Sequence, residues 1–193
     1  MQTVIANYLK PHTVKVTEGK EWDEYIITRL GHVVPAVNII NIYGHQESRM
    51  TKDEITESWF RLCKDLEEIE TKGEALLIIG DLNRAMGSDQ GGVTGNHEKV
   101  SYGGQYIRDF VKEKDHVILN NMAVGGPWTW VKRGNETIKS CLDIAIESGN
   151  LLRFVKSVTI DKERKFTPKR VIIKKGEYLS VHTDHFTMEV KLT

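Results

Sequence analysis

The sequence predicts a mixed α/β (α+β) domain, and three observations predict it. The apolar run Val37–Tyr43, an amphipathic helix from Thr51 to about Lys72 and a second apolar run Ala75–Gly80 follow one another as a strand–helix–strand crossover unit. The later strand candidates are short and closely spaced, the pattern of hairpins. With 193 residues, the chain is long enough for one domain with a sizeable core and too short to demand two. A mixed sheet, or a pair of sheets, with helices outside is the consequence.

Taken in order, strands are expected at Tyr25–Leu30, Val37–Tyr43, Ala75–Gly80, Val117–Asn120, Leu142–Ile146 and Phe186–Leu192, with weaker candidates at Thr13–Val16 and Val171–Ile173. In the first helix Thr51 and Glu54 have the spacing of a capping box, and Gly73 suits the left-handed residue beyond a helix end. Ile55, Trp59, Leu62, Leu66 and Ile69 recur at three- and four-residue steps and make one apolar face. A second helix is expected over Gly104–Lys114, with Ile107, Phe110 and Val111 inward. Ser88–His97, rich in Gly with Asp89 and Asn96, is a loop. Asp161–Gly176 carries seven Lys or Arg residues against Asp161 and Glu163, which fits either a solvated hairpin or a phosphate-contacting strip.

Composition excludes several classes. The 39% hydrophobic and 28% charged fractions are those of an ordinary globular chain. Lys plus Arg equals Asp plus Glu at 27 each, so no global basic field advertises nucleic-acid binding, although local patches can still serve. No apolar stretch approaches a membrane span, and the N-terminus lacks a signal-peptide pattern. Two cysteines, Cys63 and Cys141, are too few and too far apart for a zinc motif or a disulfide framework. Cys63 falls on the apolar helix face and Cys141 abuts a strand, which favours buried free thiols and an intracellular, reducing compartment.

The chemistry concentrates where apolar runs end. Ala75-Leu76-Leu77-Ile78-Ile79-Gly80 is unbroken by charge and gives directly onto Asp81-Leu82-Asn83, so a carboxylate and a carboxamide stand at a sheet rim. Asp184-His185 has a similar setting near the C-terminus. Two acidic groups, an amide and an imidazole brought to one rim suit a hard divalent cation and a phosphate ester. Read singly, each residue has a plainer alternative. Asp81-Leu82-Asn83 is also a turn whose side chains bond local amides, and Tyr43 also a half-buried strand-end tyrosine. Trp128 and Trp130 alternate on a strand, as packing or as stacking residues. Asp143, inside an apolar strand, needs a partner. His45, Gln46, Glu47 and Arg49 follow Tyr43 in a loop as polar surface or supporting residues.

Laid in order, four blocks resemble the endonuclease/exonuclease/phosphatase superfamily: Asn41-Ile42-Tyr43, Gly80-Asp81-Leu82-Asn83, Ser140-Cys141-Leu142-Asp143-Ile144-Ala145-Ile146 and Thr183-Asp184-His185-Phe186. Thr183 stands where that family usually has Ser. Ser101-Tyr102-Gly103-Gly104, Leu119-Asn120-Asn121 and Trp128-Thr129-Trp130 add weaker support. The resemblance implies a four-layer sandwich of two mixed β-sheets flanked by helices, and hydrolysis of phosphodiesters with Mg2+ (or Mn2+). It implies roles too. Asp81 would orient or deprotonate the attacking water, with Asn83 fixing its geometry. His185, held and kept charged by Asp143, would bond a phosphate oxygen, Tyr43 would donate its hydroxyl to the phosphate, and Asp184 would serve the metal directly or through water. An imidazole beside a carboxylate is also a sensible phosphate-binding cation on physical grounds alone.

From Lys139 to Ile146, with Trp128-Thr129-Trp130 before it, the chain looks most like the endonuclease domains of non-LTR retroelements. That resemblance implies a DNA-nicking activity, DNA as substrate, and a nuclear setting if the source is eukaryotic. A non-catalytic remnant of the fold that binds nucleic acid or a protein partner is the alternative. The family's pattern starts with a strand bearing an Asn and another ending in a metal-binding Glu, and nothing ahead of Tyr43 matches either. Asn7, Glu18 and Glu47 lie in the wrong context to substitute. The resemblance therefore implies a member missing its first strands, with a weakened metal site. A bared sheet edge near Thr3–Leu9 would then favour a homodimer.

Overall fold

The strongest apolar runs become the centre of one sheet. The computed structural model describes residues 13–16, 24–31, 33, 36–87, 100–126, 128–165, 169–174, 177–182 and 184–193. Strands β1 (Thr13–Val16), β2 (Glu24–Leu30), β3 (Val37–Tyr43), β4 (Ala75–Asp81), β5 (Val117–Ile118) and β8 (Asp143–Glu147) form a six-stranded sheet in the order β1-β2-β3-β4-β8-β5. β3 and β4 run parallel, because the helix α1 (Lys52–Thr71) carries the chain back between them; the other pairings are antiparallel. This is the crossover unit expected from the sequence.

A second β layer lies beyond. β6 (Trp130–Lys132) pairs with β7 (Asn135–Ser140), and β9 (Val155–Ile160) pairs with β12 (Met188–Leu192). Residues 184–186 join the two ladders: Val131 N donates to Asp184 O at 3.0 Å and Phe186 N to Thr129 O at 2.7 Å. β10 (Lys169–Lys174) and β11 (Glu177–His182) form a separate hairpin from the basic segment. The sandwich of sheets and helices anticipated above is the fold observed.

Both faces of the central sheet are covered, which is why its strands are apolar throughout rather than alternating. Ile40, Ile42, Leu76, Ile78, Ile144 and Ile146 face α1 and the second helix, α2 (Tyr102–Glu113). Val37, Ala75, Leu77 and Ala145 face the second β layer with Val131, Val158, Ile160 and Phe186. In α1 the capping box is formed: Thr51 and Glu54 exchange side-chain and backbone hydrogen bonds, and Gly73 follows the helix at φ +68°. Such a cap contributes about 1 kcal/mol, whereas each fully buried aliphatic contributes about 1.5–3 kcal/mol. Leu62, Leu66 and Ile69 therefore fix α1 more than its cap does. Trp59 lies at the flank of this face, edge-on to Phe110 at 5.6 Å, and Ser58 takes the buried step.

Some boundaries differ from the expectation. Only Val117–Ile118 are strand; Leu119–Met122 coil into a 3-10 turn because Asn120 is recruited to hold β8. β12 starts at Met188 because Phe186 is bonded to Thr129 instead. Three strands, β7, β9 and β11, were not anticipated as elements, and of the tryptophans read as alternating on a strand only Trp130 lies in one, β6. Cys63 is half-buried, Cys141 buried, and both are free; burial pushes both thiols up to about 12. The segments 3–9 and 88–97, with Asn7, Glu18 and Thr183, lie outside the described residues.

Candidate active site

Three adjacent strands end in one row. Tyr43 is the parallel partner of Asp81, and Asp81 is the antiparallel partner of Asp143. Partners in register share a sheet face, and neighbouring strands stand about 4.8 Å apart. A hydroxyl and two carboxylates are thus set side by side by the hydrogen-bond ladder. Gly80 allows the approach: it sits at φ +145°, and a Cβ there would meet the backbone oxygen of Ile42.

Asp143 stands at the corner between layers. β7 ends at Ser140, Cys141 and Leu142 cross over, and Asp143 opens β8. Two buried polar side chains hold this corner, each fully shielded from solvent. Thr129 Oγ1 accepts from Asp143 N at 2.9 Å and Leu142 N at 3.2 Å. Asn120 donates through Nδ2 to Asp143 O at 3.0 Å and accepts at Oδ1 from Ala145 N at 2.8 Å. Neither residue had a role assigned from sequence. The available signal was a polar residue embedded among apolar ones, which must find partners once buried.

His185 arrives from the second layer, where it forms a bridge with Trp130. Its Nδ1 lies 2.9 Å from Asp143 Oδ2, with side chains 33% and 20% exposed. Ligand atoms of Asp81, Asp143 and His185 all lie within 4.8 Å of one another. Asn83, at φ +49°, donates its backbone N–H to Asp81 Oδ1 at 3.0 Å and its amide to Gly44 O at 2.8 Å. The local turn and the site are therefore one structure. Tyr43 is 46% exposed and edge-on to His45 at 6.2 Å.

Asp184 behaves differently. Its carboxylate is not in the close group formed by Asp81, Asp143 and His185, and it bonds the Trp130 indole. Its charge still reaches His185 and helps to hold that imidazole above its ordinary value. Glu47 does not join the group either. It accepts from Ser101 Oγ at 2.6 Å and Gly103 N at 3.0 Å, steadying the start of α2 beside the buried Arg84, which donates to His45 O.

Electrostatics follow from this crowding. Burial, then the charge of Asp143, pushes Asp81 up to about 6, against the pull of His185 and the Asn83 amide. For His185 burial is the largest single effect and opposes charge. The hydrogen bond and charge of Asp143, with Asp81 and Asp184, together outweigh it and hold the imidazole above its ordinary value. Two carboxylates this close are a donor pair that a divalent metal ion fits, since a cation would neutralise the partly desolvated Asp81–Asp143 pair.

No protein-family model and no curated protein matches the sequence. Solved structures do. A 3′ phosphatase from Neisseria, NExo, bound to a product DNA hairpin, superposes with a TM-score of 0.65 at 16% identity over 95% of this chain and 71% of that one. An endonuclease/exonuclease/phosphatase family protein from Bacteroides thetaiotaomicron gives 0.58 at 14% identity over 95% and 65%. The endonuclease domain of TRAS1, a telomere-specific non-LTR retrotransposon, gives 0.55 at 16% over 95% and 70%. The chain has the endonuclease/exonuclease/phosphatase fold, and it spans about two thirds of the length of these structures. Among the described residues no helix is long and apolar enough to cross a membrane.

Proposed function

We infer that this rim is a metal-dependent phosphodiesterase centre that nicks DNA, in the manner of a retroelement endonuclease. The observation that carries the reading is the convergence of Asp81, Asp143 and His185, with Tyr43 and Asn83 beside them. Tyr43, beside the group, is exposed, which suits a polymer lying across the rim. The Lys139–Ile146 block and the likeness to TRAS1 favour the retroelement type.

Each side chain has a task its position supports. Asp81 accepts the proton of the attacking water as the water oxygen bonds phosphorus and the bond to the departing sugar oxygen breaks, that oxygen taking up a proton from solvent. Asn83 holds that carboxylate through its N–H. His185, as imidazolium, donates Nδ1–H to Asp143 and leaves Nε2–H for a phosphate oxygen. Tyr43 donates its hydroxyl to the same phosphate. Asp81 and Asp143 would hold Mg2+ or Mn2+, and Asp184 would act through water. The bound ion would supply Lewis-acid charge stabilisation and a more acidic water.

Two carboxylates hold a hard cation weakly. Slow nicking is therefore expected of this chain. The same observation favours the second reading, a DNA-binding module without catalysis. Incubation with supercoiled plasmid and Mg2+ or Mn2+ separates them: nicked circles that vanish in Asp81→Asn and His185→Ala support the enzyme. DNA binding without any metal-dependent nicking supports the module. Release of phosphate from a 3′-phosphorylated oligonucleotide in preference to nicking would replace the retroelement assignment with a 3′ phosphatase.

A further inference from the structure

Next to the rim stands a cluster of cations on aromatic rings that the reaction does not use. Trp128 immediately precedes Thr129, whose hydroxyl holds the amides of Leu142 and Asp143. Lys139 Nζ lies 4.2 Å, and Lys162 Nζ 3.8 Å, from the centroid of the Trp128 indole. The indole meets Phe186 edge-on at 5.2 Å, and Arg164 sits 4.4 Å over the Phe186 ring. Phe186 directly follows His185. The two rings that carry these cations are thus chain neighbours of Thr129, which anchors Asp143, and of His185 itself.

Their charge is unbalanced. Among the described residues no carboxylate is ion-paired with Lys139 or Lys162. The acids beside Lys162 are engaged elsewhere: Asp161 Oδ1 accepts from Lys165 N at 2.7 Å, and Glu163 pairs with Lys165 Nζ at 2.5 Å. Lys162 is a fixed cation. Its ammonium donates to the carbonyls of Gly125 at 2.5 Å and Gly126 at 2.6 Å, glycines held at φ +85° and +93°. An ammonium has three donors, so one remains. Lys139, half-buried against the same ring, makes no hydrogen bond among the described residues. Both ammoniums lie within 4.2 Å of one ring centroid, so an anion beside that ring is drawn by both charges.

We propose that Lys139 and Lys162, seated on Trp128, form a second phosphate site that grips a backbone phosphate flanking the scissile one on a nucleic-acid strand. The identity of the strand rests on the phosphodiesterase reading of the neighbouring rim. Lysines positioned by an aromatic ring suit this ligand, because they track the backbone without reading bases. The local patch also reconciles nucleic-acid binding with a chain whose Lys and Arg only equal its Asp and Glu.

The test is equilibrium binding of short labelled single-stranded and duplex oligonucleotides to the full chain in EDTA, between about 50 and 200 mM salt. Lys139→Gln is expected to weaken binding several-fold and to reduce the slope of log affinity against log salt by about 0.7–0.9, the loss of one phosphate contact. Lys162→Gln should do the same, with a thermal melt to detect loosening of the Gly125–Gly126 loop; Lys139, which makes no hydrogen bond among the described residues, carries the test if Lys162→Gln misfolds. Lys64→Gln, an equal charge change at an exposed position on α1, should leave the slope unchanged. An unaltered slope in Lys139→Gln overturns the proposal. So does an equal loss in Lys64→Gln, no oligonucleotide binding by the parent chain, or anionic vesicles binding with the same Lys139 dependence. A chain that nicks plasmid but binds normally as Lys139→Gln refutes the second site alone. One that never nicks yet loses slope refutes the catalytic reading alone.

Discussion

Replacing Asp81 by Asn should stabilise the metal-free protein while removing its chemistry. The carboxyl rises from 3.8 to about 6, mainly through burial and then through the charge of Asp143. Each unit corresponds to about 1.4 kcal/mol, so the full shift is worth about 3 kcal/mol. Asp81 is only partly shielded from solvent, and screening reduces this to about 1–2 kcal/mol. The sign follows from the folded value lying above the unfolded one. The favourable protonation is complete below 3.8 and is lost as pH rises through about 6. At pH 7.5 the fold therefore carries an ionised Asp81 it disfavours, whereas Asn keeps an oxygen for the Asn83 N–H without the charge. For a domain of this size, about 3–6 °C of added melting temperature is expected at pH 7.5, shrinking towards zero at pH 4. Thermal melts of both proteins in EDTA across that range provide the measurement. A gain absent at pH 7.5, or equal at both pH values, would refute the account of Asp81 as a desolvated, repelled carboxylate.

Other outcomes follow from the same geometry. Adding Mn2+ should raise the melting temperature of the parent chain but not of Asp81→Asn, and equal shifts in both would place the ion elsewhere. In EDTA, Asp143→Asn should move the titrations of Asp81 and His185 to lower pH, because Asp143 raises both groups. His185 ring signals that titrate at the same pH in both proteins would exclude that coupling. Thr129→Val keeps the side-chain shape but strands two buried amides, costing about 1–3 kcal/mol, and calorimetric melts showing no loss would contradict its role at the corner.

The parts of this site legible in sequence were those written by backbone continuity. Tyr43 and Asp81 stand where apolar strands end, so reading those strands placed them at a rim, whereas Asp143, expected inside a strand, proves to be the first residue of β8. The Asp143–His185 pair was legible because an acid in an apolar strand needs a partner, and the structure supplies that partner 2.9 Å away. What was not legible depended on partners far along the chain. Asn120 and Thr129 look like turn and strand residues until β8 is laid against them. β7 is polar along Asn135–Ser140 and gives no hydrophobic period, and β9 buries Val158 and Ile160 but breaks the period at the exposed Lys156. Asp184, the neighbour of His185 in sequence, lies outside the close group of Asp81, Asp143 and His185 and bonds the Trp130 indole, a partner that adjacency did not reveal.

The hydrogen bond between Asp143 and His185 joins two layers, since Asp143 belongs to the six-stranded sheet and His185 to the segment paired with β6. The site is consequently a clasp, fastened only while the layers are docked. Loosening the β6–β7 hairpin would open it with every strand of the central sheet still hydrogen-bonded. Mild denaturant should then extinguish activity well before the secondary structure melts, and the ring signals of His185 would report the closure of the whole sandwich.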